Sequence, residues 1–225
     1  MPSEQEMRLH RCCFTGHRPE KLAQSPEEVQ QWLTDQIKDA IADGYLTFIT
    51  GMSMGVDIWA GEIIVNLREN DPRLHLIAAV PWPRFSARWN AEWKTRYERL
   101  IKRADLVEHI SRTYYPSVFT KRNFWMVEHC TRVIAFYNGS DGGTKEMIEY
   151  AQERDIDVVI GGIIPPKKKP AKELDPGPVP QRDYPLNLID AIMDCETYQN
   201  SKIVCTDDIP ADFDERLRKA ASAIK

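Results

Sequence analysis

The sequence repeats one short pattern: an apolar run, a turn that contains glycine, and a stretch whose apolar residues recur every three or four positions. In the first copy, an apolar run ends near Phe14, the chain turns at Gly16, and a helix follows with Ser25 as its cap and Pro26 in its first turn. A short apolar run that stops at glycine predicts a buried strand. Parallel neighbours of such strands need helical crossovers, so the alternation predicts a Rossmann-like, doubly wound, mainly parallel α/β sheet over residues 8–162.

Six strands and five helices are predicted along this domain. The strands are expected at 9–14, 45–50, 74–80, 106–110, 132–137 and 156–160, and the helices at 26–41, 56–67, 86–103, 118–129 and 143–154. The third helix carries Trp89, Trp93 and Tyr97 at helical spacing. Such an aromatic stripe predicts packing against the core.

The composition changes after the domain. Residues 163–184 hold several prolines and the run Lys167-Lys168-Lys169, which predicts a stiff, extended linker. Residues 185–225 contain two possible short helices, at 186–193 and 213–224, with too little apolar surface to fold alone. We expect this partly helical extension to pack on the main domain, on another copy of the chain, or on nothing.

The charge and the cysteines limit the possible partners. Thirty basic residues stand against 34 acidic ones, giving a formal net charge of -4 that attracts neither nucleic acid nor an anionic membrane. No apolar stretch is long enough to cross a membrane and the polar start does not resemble a signal peptide, so a cytoplasmic protein is expected. The five cysteines lack the paired spacing of a zinc site, which predicts reduced thiols and no metal.

Three turns fall at the carboxyl ends of predicted strands: turn 1 (residues 15–19), turn 2 (residues 50–57) and turn 3 (residues 138–144). Ligands of open α/β sheets bind at this edge, where helix amino termini present unpaired N–H groups to an anion. The turns are therefore expected to converge on one crevice. The predicted ligand-binding residues are Thr15, Gly16, His17, Arg18, Gly51, Ser53, Gly55, Asp57, Arg122, Asn123, Gly142, Gly143 and Thr144.

Each turn has a plainer interpretation beside the functional one. The guanidinium of Arg18 suits a phosphate but also suits a surface ion pair, and His17 titrates near neutrality. Asp57 either caps the second helix, which is the favoured interpretation, or contacts a ligand hydroxyl. The Gly142-Gly143-Thr144 segment at a helix start can wrap a phosphate with backbone N–H groups and a hydroxyl.

Taken together, the turns resemble the SLOG superfamily, specifically its YpsA-like branch, over about residues 11–160. The similar segments read CCFTGHRPEKL, FITGMSMGVDIWA, and KRNFWM through DGGT. This resemblance implies a Rossmannoid fold and a small-molecule ligand that is a nucleotide or is derived from one, such as NAD or an ADP-ribose-like molecule. It implies no required cofactor, and a homo-oligomer is compatible with it.

Two groups of enzymes share parts of this resemblance. LOG-type phosphoribohydrolases have an arginine that matches Arg122, and a catalytic glutamate three positions after the threonine that matches Thr144; nucleoside deoxyribosyltransferases use a glutamate at the same place. Here that position is Met147, and a thioether cannot stabilise or trap an oxocarbenium-like centre. Glu128, Asp141 or Asp57 could supply the carboxylate from another element. Binding without turnover is therefore the leading hypothesis, and a nucleotide N-glycosidase is the alternative.

Single-stranded DNA binding is a further alternative, because the DNA-processing protein DprA belongs to the same superfamily. Trp82, Trp89 and Trp93 could stack on bases, and the basic residues at 94–103 and 167–169 could contact the backbone. The same helix also holds Glu92 and Glu98, so it has the composition of a solvated, mixed-charge face. Together with the negative net charge, this argues against nucleic acid as a partner.

Overall fold

The structure is a computed structural model that describes residues 3–162. The predicted linker at 163–184 and the predicted extension at 185–225 lie outside the described residues. Within residues 3–162, no helix combines the length and the apolar character needed to cross a bilayer.

Every predicted strand and helix of the domain is present. The strands are β1 Arg11–Gly16, β2 Thr47–Thr50, β3 His75–Val80, β4 Leu106–His109, β5 Arg132–Phe136 and β6 Asp157–Gly161. The helices are α1 Glu4–Arg8, α2 Pro26–Ala42, α3 Val56–Leu67, α4 Ala91–Arg103, α5 Val118–Glu128 and α6 Gly143–Gln152, with a 3-10 turn at Pro19–Lys21. Only α1 and the 3-10 turn were not predicted.

All six strands pair in parallel, in the order β4-β3-β2-β1-β5-β6. The chain builds from β1 outward to β4, and α5 then carries it back across the sheet to start β5 on the other side of β1. The strand order therefore reverses between β1 and β5, where Gly16 pairs with Phe136. This confirms the Rossmann-like α/β prediction and places the topological switch point beside turn 1.

The helices cover both faces of the sheet. Helices α2, α3 and α4 pack side by side on one face, and α5 packs against α6 on the other. Side chains alternate along β1, so Cys12 and Phe14 join the first core while Cys13 joins the second, which includes Met126 and Met147. Because helices cover both faces of the sheet, a ligand can reach the sheet only at the ends of its strands.

The start of α4 differs from the prediction. The helix was expected from residue 86, but it begins at Ala91 because the Asn90 side chain accepts a hydrogen bond from the Trp93 N–H at 3.0 Å. The aromatic stripe itself behaves as predicted: Tyr97 lies in the first core, and Trp89 and Trp93 pack against it.

Candidate functional site

At the carboxyl edge of the sheet, turn 1 contacts turn 2, and turns 1 and 3 each contact a residue that adjoins the other turn. Gly55 in turn 2 has φ +92°, and a Cβ there would lie only 2.8 Å from the backbone oxygen of His17 in turn 1. The His17 ring stacks on Tyr137, which follows β5, with centroids 5.6 Å apart. Asn138 in turn 3 donates a hydrogen bond to the backbone oxygen of Lys21 at 2.7 Å.

Arg122 of α5 anchors turn 2 through hydrogen bonds. One terminal nitrogen, Nη1, donates to the backbone oxygen of Gly51, and Nη2 donates to Ser53 Oγ at 3.3 Å. The same Nη1 lies 3.5 Å from Asp57 Oδ2, and both side chains are 7% exposed. Arg122 was expected to contact a ligand phosphate, but its hydrogen bonds all go to turn 2, because the side chain extends under the turn instead of into the solvent.

Asp57 does not cap α3, so that interpretation is wrong. The N-cap is Gly55, and the first turn of the helix has no side-chain cap. Asp57 instead turns back and accepts a hydrogen bond from the Ser53 N–H at 3.1 Å. Burial raises the pKa of Asp57, while the charge of Arg122 and the Ser53 N–H oppose that rise. Oδ2 of this carboxylate is therefore tied to the turn, and the side chain as a whole is 7% exposed.

Asn123, the next residue of α5, holds turn 3. Its Nδ2 donates to the backbone oxygen of Gly143 at 3.2 Å, and its side chain is largely buried. Consecutive helical residues point about 100° apart, so Arg122 and Asn123 reach different turns from the same level of one helix. One helix thus fixes the separation of turns 2 and 3.

Two helices begin at this edge with glycine caps. Gly142, the N-cap of α6, has φ +136°, and a Cβ added there would meet nothing within 4 Å. As at Gly55 of α3, no side chain caps the backbone N–H groups of this helix. Thr144 is buried beside them. Helix amino termini whose N–H groups lack a side-chain acceptor suit an anion.

Turn 1 combines buried and exposed polar side chains. Thr15 and His17 are buried, and His17 Nε2 has no hydrogen-bond partner among the described residues. Burial, followed by the charge of Lys21, lowers the pKa of His17, so its ring is neutral at pH 7. Arg18 is exposed and forms no ion pair with any residue in 3–162, so the predicted surface ion pair is not observed there.

The candidate catalytic carboxylates lie apart from this edge or point to solvent. Glu128 is the last residue of α5, where it accepts a hydrogen bond from the Tyr150 hydroxyl at 2.6 Å, about 9 Å along the helix from Arg122. Asp141 pairs with Lys145 at 2.8 Å, and its side chain is 91% exposed. Met147, at the position of the relatives' glutamate, is fully buried in the second core.

Sequence reasoning missed two residues of turn 2. Thr50 is fully buried, and its hydroxyl donates to the backbone oxygen of Asp57 at 2.7 Å and accepts from the Met52 N–H at 3.3 Å. Met52 adopts a left-handed backbone, φ +61°, which is uncommon for a residue with a side chain. Strain of this kind is retained where the surrounding contacts fix it. No feature of the sequence indicated the left-handed backbone of Met52. The position of Thr50 directly before Gly51, in contrast, is typical of a turn and could have been recognised.

Two cavities of the described domain differ in their position relative to the turns. The larger, about 770 Å³, lies at the opposite edge of the sheet, where Arg11, Thr47 and His75 start their strands. The second, about 470 Å³, adjoins turn 1 and includes Pro19 and Trp59 in its lining. In residues 3–162, no group of three or more His, Cys, Asp and Glu side chains is arranged to hold a metal ion.

Comparisons with known proteins match most of the described domain. The model of the YspA SLOG family (YpsA) matches residues 12–158. A UPF0398 protein of Bacillus pumilus (strain SAFR-032) is 29% identical over 147 residues, covering 61% of this chain and 79% of the relative. The SPbeta prophage-derived protein YoqJ of Bacillus subtilis (strain 168) is 28% identical over 118 residues, 47% of this chain and 69% of that protein. One solved structure also aligns with the chain: DNA processing protein A from Helicobacter pylori, described for its single-stranded DNA binding mode. The alignment covers 70% of this chain and 66% of that chain, with a TM-score of 0.49 and 15% identity.

Proposed function

The chain belongs to the YspA SLOG family, and from this premise we propose that it binds a phosphate-bearing nucleotide derivative at the carboxyl edge of its sheet. The ligand takes its place among turns 1, 2 and 3, beside the switch point between β1 and β5. The proposed role is that of a sensor or regulator, which binds the ligand without turning it over.

The observation that carries this proposal is the pair of glycine-capped helices, α3 and α6, which start at the same edge without a side-chain cap. Glycine lets the backbone approach a phosphate closely, and the helix dipoles favour negative charge. Gly142 leaves open space where any other residue would place a side chain. Phosphate oxygens in that space would accept hydrogen bonds from the N–H groups of Gly143 and Thr144.

Arg122 and Asn123 act as positioning residues in this proposal. Through their hydrogen bonds to Gly51 and Gly143, they fix turns 2 and 3 before the ligand arrives, which reduces the entropy lost on binding. Arg18 supplies positive charge from the solvent side, where its guanidinium can close on a phosphate.

Turnover is disfavoured by the positions of the acidic side chains. Cleavage of an N-glycosidic bond needs a carboxylate beside the sugar, and Glu128, Asp141 and Asp57 are held by Tyr150, Lys145 and Arg122 respectively. Free base released from nucleoside monophosphates at high protein concentration, detected by chromatography, would favour the N-glycosidase over this proposal.

We do not expect nucleic acid to be a partner of this domain. The net charge of -4 argues against it, and Arg96 and Arg103 of α4 are already paired with Glu62 and Glu69. We expect fluorescence anisotropy with labelled single-stranded DNA to show no binding at physiological salt. Binding that weakens steeply with added salt would contradict this expectation.

Calorimetry tests the proposal with AMP, ADP, ADP-ribose and NAD against three proteins. Besides the wild type, these are Gly143→Ala and the control Gln152→Ala, which lies at the far end of the same helix. A Cβ at position 143 would make ordinary contact, 3.4 Å from Asn123 Nδ2, so the variant is expected to fold. It would narrow the approach to the backbone and weaken binding about tenfold, or about 1.4 kcal/mol. Binding of none of these compounds to the wild type would overturn the proposal.

A further inference from the structure

Two loops leave the carboxyl edge of the sheet on the far side of turn 2. The β3–α4 loop (residues 81–90) follows β3, and the β4–α5 loop (residues 110–117) follows β4, the outermost strand on that side. Both loops are longer than the roughly two to six residues that usually join a strand to a helix in such domains. Neither belongs to turns 1 to 3, and the proposed function uses neither of them.

The two loops pack on each other through aromatic side chains. Between centroids, the Trp82 ring lies 5.0 Å from the ring of Phe85 and 5.0 Å from that of Tyr114. It also lies 5.5 Å from the ring of Phe119, near the start of α5. All three contacts are edge-to-face. The aromatic contacts therefore join the two loops and the start of α5 into one surface.

This surface carries positive charge only. Residues 81–91 and 110–121 contain no aspartate or glutamate, and their charged residues are Arg84, Arg88, Arg112 and Lys121. All four of these side chains are exposed. Within residues 3–162, none of them forms an ion pair. Four like charges without an acidic neighbour repel one another, so the surface is complementary to a negatively charged partner.

Helix α4, which follows the first of these loops, has the opposite arrangement. Its Arg96 pairs with Glu62 through a contact of Arg96 Nε with Glu62 Oε1 at 2.9 Å. The carboxylates next to the basic segments in the sequence are those of Glu92 and Glu108, and within the described domain neither pairs with a cation of the loops. The charge of α4 is thus partly balanced inside the domain, whereas the charge of the loops is not.

The aromatic side chains decide which kind of anionic partner fits. A single strand of nucleic acid needs several open aromatic faces on which successive bases stack. Trp82 and Phe119 are half-buried, Phe85 is buried, and of these four rings only Tyr114, at 60% exposure, is largely open. One open tyrosine among exposed arginines is typical of a contact between proteins, where both residue types are enriched and arginine pairs with carboxylates.

We propose that the basic surface, defined as Arg84, Arg88, Arg112, Tyr114 and Lys121, is a docking site for an acidic segment of another protein. Carboxylates of that segment pair with the four cations, and an aromatic side chain of it packs on Tyr114. The inference does not depend on the phosphate site at turns 1 to 3, so either proposal can fail without the other.

Fluorescence anisotropy with labelled peptides tests the inference on the full chain. The acidic probe is a peptide of glutamates with two tryptophans, and in the basic probe lysines replace the glutamates. The wild type is expected to bind the acidic peptide, more weakly as salt is added, and not to bind the basic one. Arg112→Glu should lower the affinity for the acidic peptide about tenfold. Lys38→Glu is the matched control, because it changes the net charge equally at an exposed, unpaired lysine of α2.

Tyr114→Ala separates the aromatic contact from the charge. It should weaken binding of the acidic peptide about fivefold and leave the salt dependence unchanged, because it removes no charge. Circular dichroism of each variant shows whether the fold is retained.

Three results would count against the docking site. The wild type might be shown not to bind the acidic peptide, which removes the proposal. Equal losses in Arg112→Glu and Lys38→Glu would reduce the effect to net charge. Tighter binding of labelled oligothymidylate than of the acidic peptide, lost in Arg112→Glu, would assign the basic surface to single-stranded nucleic acid instead.

Discussion

Arg122 of α5 and Asp57 of α3 form an ion pair beneath turn 2, with Nη1 3.5 Å from Oδ2 and each side chain 7% exposed. Asp57 Oδ1 and Arg122 Nε, by contrast, have no hydrogen-bond partner among the described residues. Removing two charges from water is expensive, and the incomplete hydrogen bonding limits how much of that cost the pair recovers. We infer that the pair serves the geometry of turn 2 more than the stability of the domain.

The ion pair gives the first prediction. Arg122→Met leaves the Asp57 carboxylate buried without its cation, and should lower the free energy of unfolding by about 3–5 kcal/mol. In the background of Asp57→Asn the same substitution should cost about 0.5–3 kcal/mol less, because no charge remains to be paired. Urea denaturation of the two single variants and the double variant measures this coupling. Strictly additive effects would mean that the two side chains do not interact.

The close approach of turns 1 and 2 gives the second prediction. At Gly55 the backbone has φ +92°, and a Cβ would lie 2.8 Å from a backbone oxygen. Gly55→Ala therefore combines backbone strain with a clash that no side-chain rotation relieves. The expected loss of stability is about 1–3 kcal/mol, together with loss of nucleotide binding. Thermal denaturation and calorimetry test the two effects; unchanged affinity would place the ligand away from turn 2.

Arg18 gives the third prediction, in which binding and stability separate. The side chain is exposed and makes no ion pair with the described residues, so Arg18→Ala should change the free energy of unfolding by no more than about 0.5 kcal/mol. Its affinity for AMP should fall about tenfold, and the affinity of the wild type should depend more strongly on salt than that of the variant. Arg88→Ala, on another exposed arginine, is the control. Equal losses in both variants would indicate a general effect of charge.

The fourth prediction concerns pH. The pKa of His17 is lowered in the folded protein by burial and by Lys21, so the unfolded chain binds the proton more readily. The contribution of His17 to stability is complete above its unfolded pKa of about 6.5 and is lost as the pH falls through that value towards the folded pKa. Urea denaturation at pH 7.5 and 5.5 should therefore show a larger loss for the wild type than for His17→Asn, which does not titrate. The other histidines are common to both proteins, so equal losses would exclude His17 as the cause.

Met147 gives the fifth prediction. Because it is fully buried in the second core, Met147→Glu should destabilise the domain by several kcal/mol, on the order of 3, and should not produce base release from nucleoside monophosphates. Met147→Leu conserves the volume and should cost less than about 1.5 kcal/mol. Denaturation and chromatography measure the two properties. A stable and active Met147→Glu would show that the catalytic arrangement needs only this one carboxylate.

The elements were predictable where local signals agree. Helix α3 starts and ends where the sequence predicted, because Gly55 precedes it and a run of polar residues with Pro72 follows. Helix α4 was extended too far because the apolar spacing continues through residues 86–90, and the capping oxygen of Asn90 overrides that spacing. Helix α1 was missed although Ser3 and Glu6 form a capping box, since a five-residue helix has too few positions to show periodicity.

The candidate site was predictable as a set of turns but not as a set of contacts. Glycine positions and the parallel sheet were enough to bring turns 1, 2 and 3 to one edge. The sequence could not show which way the Arg122 side chain extends. A long side chain near a helix start can reach into the solvent or under a neighbouring turn, and only tertiary packing decides between these two conformations. The same limit applies to the buried indole N–H of Trp59, because whether it finds a partner depends on residues far away in the sequence.

The position of α5 has a consequence for how the protein folds. This helix is the crossover between the two halves of the sheet, and Arg122 and Asn123 attach to a turn from each half. Those attachments join residues 71 and 20 positions apart, so the longer one closes the larger loop and costs more chain entropy. A chain in which only β1 to β4 had formed would have turn 2 without its anchor. Only a chain that has completed both halves of the sheet would present the three turns of the proposed ligand site in their final positions.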